Sequence, residues 1–122
     1  MELEDLINRY AAEVQTLLRT AHAELMEYFP ALVEEPDFPS RILVYRIAPG
    51  NDGIVFTLIP SRAGVKLGIY RGRELPDPAG LLAGNGKVHA TISLSERIFN
   101  DKNFADLLEA AMRKALLRNT RR

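Results

Sequence analysis

Carboxylates crowd the first third of this chain. Glu24 and Glu27 fall one turn apart if their segment is helical, and Glu34, Glu35 and Asp37 follow closely. Clustered carboxylate oxygens are what hard cations such as iron, magnesium or calcium require. The plainer reading of the same residues is a solvated acidic face. Of the two histidines, His22 lies near Glu24 and Met26 and reads most simply as a surface residue of a helix. His89 stands with Thr91 and Ser93 on one face of an alternating stretch, either a ligand face or the solvated side. The chain has no cysteine, which removes disulfides, thiolate metal sites and cysteine nucleophiles. No nucleophile elbow and no base–nucleophile pair is visible, so no enzyme is expected.

The stretch GRELPDPAGLLAGNGK, residues 72–87, packs two prolines and four glycines around a Leu-Leu pair. A phosphate-cradling loop needs Gly, four residues, Gly-Lys-Ser/Thr and then a helix. Here Leu81 stands five before Gly86, Val88 follows Lys87, and a strand-like pattern comes next, so that chemistry fails. A flexible linker fails too, because Leu75, Leu81 and Leu82 do not suit a solvated segment. The stretch reads as a folded loop, stiffened by Pro76 and Pro78 and turned by Gly84-Asn85-Gly86.

The elements around it follow from periodicity. Apolar residues at three- and four-residue steps predict one amphipathic helix over 3–28. Residues 30–40 carry three prolines and three acids and read as a loop. Alternation then predicts strands at 41–47, 54–59, 65–70 and 87–94. Asn100 or Asp101 caps a closing helix over 102–118. Helix, strands, helix in 122 residues predicts one domain over 1–122, an α+β two-layer sandwich. Its antiparallel sheet carries both helices on one face and leaves the other open or covered by a partner. Val55, Thr57, Ile59, Lys66 and Tyr70 fall on that open face. Arg71, Lys87 and His89 join them as candidates for contact with a ligand or partner.

Net charge is zero but uneven. Residues 1–37 hold nine acids against two arginines, a net of −7, and the remainder carries +7. Overall neutrality disfavours nucleic acid as a partner. No apolar run approaches the ~20 residues that cross a bilayer, and the acidic start MELEDLINRY is unlike a signal peptide. A cytoplasmic protein without membrane contact is expected.

The run RGRELPDPAGLLAGNGK closely resembles the signature of the YdhG-like family, domain of unknown function 1801. The likeness rests on Arg71, Gly72, Leu75, Pro76, Asp77, Pro78, Gly80, Leu81, Leu82, Gly84, Gly86 and Lys87. It extends to VKLGIY before the run and, more loosely, over residues 54–117. The resemblance implies a frataxin-like arrangement, and an intracellular iron-chaperone role proposed for some members. One departure stands out. Val88, Ala90 and Thr91 occupy positions where the family carries basic residues and a His, so no anion-binding role of that strand carries over. Two expectations result: weak iron binding through the acidic residues, or a non-enzymatic interaction module or homodimer using the open sheet face.

Overall fold

The computed structural model describes residues 3–84, 86 and 88–120. Its order is α1 (Leu3–Ile7), α2 (Ala12–Tyr28), β1 (Val33–Asp37), β2 (Ile42–Arg46), β3 (Ile54–Ser61), β4 (Gly64–Ile69), β5 (Ala90–Ser93) and α3 (Lys102–Thr120). The five strands form one antiparallel meander in the order β1-β2-β3-β4-β5. The fold is α+β, as the pattern of periods implies. No helix among the described residues is long and apolar enough to cross a membrane.

One sheet face forms the core. Leu43, Tyr45, Phe56, Leu58, Val65, Leu67, Ile69 and Ile92 pack in a single cluster with Leu18, Ala21 and Leu25 of α2 and Phe104, Leu108, Met112 and Ala115 of α3. Period 2 places these strand residues on one side, and the helical stripes close over them. The opposite face carries the register row Glu35, Val44, Thr57, Gly68 and Thr91. A β-carbon on Gly68 would lie 2.3 Å from Thr57 Oγ1, so the glycine lets the threonine lie flat over the strand.

Three features depart from the periodic reading. The expected helix over 3–28 breaks after Ile7. Tyr10 N–H returns to the Ile7 carbonyl at 3.2 Å, and the Gln15 side chain donates to the Tyr10 carbonyl at 2.8 Å. The break lets Leu6 and Ile7 bury completely, while Arg19 clamps Glu4 through two 2.8 Å bonds. The helix period runs on across the break, so periodicity could not reveal it.

The expected loop at 30–40 contains β1. Pro36 has no N–H to give, and an edge strand tolerates that loss; the acids beside it blunt the edge against further pairing.

Val55, expected on the open face, is 1% exposed and belongs to the core. Ile54 pairs with Arg46 and Phe56 with Tyr45, so Val55 is the extra residue of a β-bulge. A bulge resets the alternation and turns its residue inward.

The 72–87 stretch is folded around Asp77. Its carboxylate accepts the Leu81 and Leu82 N–H groups, each at 2.8 Å, and Gly80 supplies the left-handed corner at φ 68°. Leu75 is buried, while Leu81 and Leu82 are half-buried against the core. Ala83 pairs with Thr91 and covers part of the β5 edge.

Leu75→Ala should therefore cost about 2–5 kcal/mol in denaturant unfolding, and Leu81→Ala less. Gly68→Ala should destabilise, and adding Thr57→Ala, which removes the opposing oxygen, should recover part of the loss. Strict additivity of those two changes would refute the contact.

Candidate functional site

The polar residues that converge do so at one end of the sandwich, where β4 leaves the sheet. Tyr70 N–H still pairs with the Val55 carbonyl at 3.1 Å. Arg71 then takes a left-handed backbone, φ 58°, sparsely populated for a residue with a β-carbon. It leads into a short turn, Gly72–Glu74. Gly72 passes close to the sheet: a β-carbon there would come within 3.1 Å of Ala90 Cβ and Ile69 Cβ.

His89 pins this turn from the side of β5. Its Nδ1 accepts the Arg71 N–H at 2.9 Å, so that nitrogen carries no proton in this arrangement. The ring lies 4.6 Å from the Tyr70 ring, tilted by 30°. The Arg118 guanidinium, from α3, stands 5.2 Å from the Tyr70 centroid, within cation–π range. Arg118 Nη2 also donates to the Ile54 carbonyl at 3.3 Å. Asn119 locks the helix end by donating to the carbonyls of Asp52 at 3.0 Å and Ala115 at 2.7 Å.

Between these elements opens a cleft of about 280 Å³ lined by Arg71, Glu74, Lys114, Leu117 and Arg118. Lys114 and Arg118 stand one helical turn apart, so their charges share a face. The C-terminal end of the helix dipole offsets part of their repulsion. Arg71 Nε donates to Glu74 Oε2 at 2.7 Å. That bond, aided by the nearby charges of Arg71, Lys114 and Arg118, holds the Glu74 carboxyl below the usual glutamate range. Burial, and then the charge of Arg71, push Arg118 below the usual arginine value, with Asp52, Tyr70 and Glu74 opposing. Arg118 Nε is buried with no hydrogen-bond partner among the described residues. Three cations thus face one cleft with one lining carboxylate. A half-buried arginine grouped with two further cations is suited to an oxyanion.

The acidic candidates do not converge. Among the described residues, no three or more His, Asp or Glu form a group able to hold a metal ion. Glu34 and Glu35 point to opposite faces of β1. Glu35 pairs with Arg46 at 3.0 Å, and Asp37 accepts the Ser40 N–H at 3.4 Å. Glu24 is half-buried and Glu27 exposed on α2. Glu34 instead faces inward opposite Tyr45. Tyr45 is fully buried, its hydroxyl 2.8 Å from His22 Nδ1. His22 is therefore half-buried and hydrogen-bonded, not a free surface residue.

Of the open-face candidates, Thr57, Ile59 and Lys66 lie on the outer sheet face, whereas Tyr70, Arg71 and His89 meet at the cleft. Lys87 lies outside the described residues. Sequence reasoning missed Glu74, Lys114, Leu117 and Arg118. The i,i+4 pair of cations on the closing helix was the available signal. No family model matches the chain, and no curated protein or solved structure matches it either.

Glu34 yields a pH prediction. Burial raises its pKa above 4.5, partly countered by His22, so its charged form opposes folding. That penalty is absent below the ordinary glutamate value and grows as pH rises through the raised one. Glu34→Gln should raise Tm at pH 8, with the gain shrinking towards pH 4. A pH-independent change in Tm would refute this account.

Proposed function

We propose that this chain is a small non-enzymatic binding domain whose ligand presents an anionic group to Arg71, Lys114 and Arg118. The observation that carries the reading is the half-buried Arg118, within cation–π range of Tyr70, in a cleft it shares with two further cations and one lining carboxylate. About 280 Å³ is slightly below the usual range of pockets for drug-sized ligands. The cleft suits one charged end group, with the half-exposed Leu117 giving an apolar shoulder for whatever bears it. Kinship with YdhG-like proteins stays part of the proposal, supported by the 71–87 motif. The iron reading has less support, because its carboxylates are dispersed over both faces of β1 and along α2.

Phenyl phosphate tests the reading. Calorimetric titration at pH 8 and low salt should give saturable 1:1 binding that weakens as salt screens the charges. Arg71→Gln and Arg118→Gln should each reduce affinity about tenfold, or ~1.4 kcal/mol. Absence of binding, or binding indifferent to both substitutions, overturns the assignment.

A further inference from the structure

The cleft already holds an anion of its own. Glu74 sits three residues after Arg71 on the same short turn, with Oε2 at 2.7 Å from Arg71 Nε. Its carboxylate lines the cleft with Lys114 and Arg118, whose charges favour its ionised form. The two members of the pair differ in how they are held. Arg71 is fixed through its backbone, left-handed and bonded to His89. Glu74 is exposed, and the Arg71 side chain is the only hydrogen-bond partner found for its carboxylate among the described residues. The carboxylate can thus swing out while Arg118 keeps its bond to the Ile54 carbonyl and Arg71 its fixed backbone.

We infer that Glu74 is a built-in occupant of the anion site, displaced on binding by a phosphate monoester. The inference rests on the anion reading of the cleft given above. A tethered group competes at an effective concentration in the millimolar range. A free monocarboxylate offers the same charge and the same two oxygens, so at ordinary concentrations it loses to Glu74. A phosphate monoester brings a charge of nearly −2 and three acceptor oxygens. It can serve Arg71, Arg118 and Lys114 together, which one carboxylate cannot. Glu74 thereby lowers the affinity of every anion by one factor, and the more highly charged one retains enough to bind.

The test uses the full chain, wild type and Glu74→Gln, titrated with phenyl phosphate and with benzoate at pH 8. Both probes present the same ring, one as a dianion and the other as a monoanion. Removing a competitor raises both affinities by one common factor, about two- to fivefold, the range commanded by a surface ion pair. Removing a remote negative charge instead acts in proportion to ligand charge, so the phenyl phosphate factor would be the square of the benzoate factor. A common factor supports the displaced occupant, as does benzoate binding that becomes measurable only in the variant while phenyl phosphate binds both proteins. A squared factor, or unchanged affinity in Glu74→Gln with wild-type binding intact, overturns it and leaves the anion reading standing. Failure of both probes on both proteins removes the anion reading itself, and this inference with it.

Discussion

The bulge at Val55 is the constraint on which the cleft depends. A regular ladder would spend the carbonyls of Ile54 and Val55 on β2 and β4 in strict alternation. The extra residue rotates the end of β3 out of that pattern. Val55 enters the core while its carbonyl keeps the regular β4-side bond to Tyr70 N–H, and the Ile54 carbonyl is left to accept from Arg118 of α3. Arg118 fills that vacancy with one guanidinium nitrogen and lays its plane by Tyr70. A local irregularity in hydrogen bonding thus fixes where Arg118 docks, in keeping with the tendency of bulges to re-aim side chains.

Much of the fold was legible in the sequence because it follows from burial on one side of each element. Strands β2 to β5 lie within or close to the alternating stretches, and α3 begins at its Asp101 cap, whose Oδ1 accepts the Asn103 N–H at 2.8 Å. What escaped has a common physical character. The α1–α2 break conserves the helical apolar period, so the pattern is the same with or without it. Strand β1 is built from residues usually assigned to loops, and only its edge position makes Pro36 acceptable. Val55 reads outward by strict alternation, and one inserted residue reverses it. Each depends on pairing or packing between distant segments.

The candidate site divides along the same line. Tyr70, Arg71 and His89 were visible because they flank the folded loop and the final strand. Arg118 was not, because its partners Ile54 and Tyr70 lie 64 and 48 residues away and nothing local marks them. The carboxylates illustrate the converse. Glu34 and Glu35 are adjacent in sequence, which suggests one cluster, yet the pleat sends them to opposite faces. Density of a residue type along a chain is evidence for a site only where the secondary-structure period brings the side chains together.

The uneven charge of the chain acquires a spatial meaning here. Both ends of the sheet-and-helix sandwich carry acids against bases, but on different terms. Glu4–Arg19 is a matched pair, two oxygens on two nitrogens, and it stitches α1 to α2. The cleft at the other end sets Glu74, with Asp52 close by, against Arg71, Lys114 and Arg118. Matched pairing at a surface contributes little and is saturated; unmatched pairing leaves a field directed into a concave site. The backbone holding that field is rigid, through the bulge, the left-handed Arg71 and the close approach of Gly72 to Ala90. The carboxylate within it hangs from an exposed side chain. A rigid backbone with a mobile counter-charge allows anions to exchange without rearrangement of the sheet, and binding there draws on electrostatics already built into the fold.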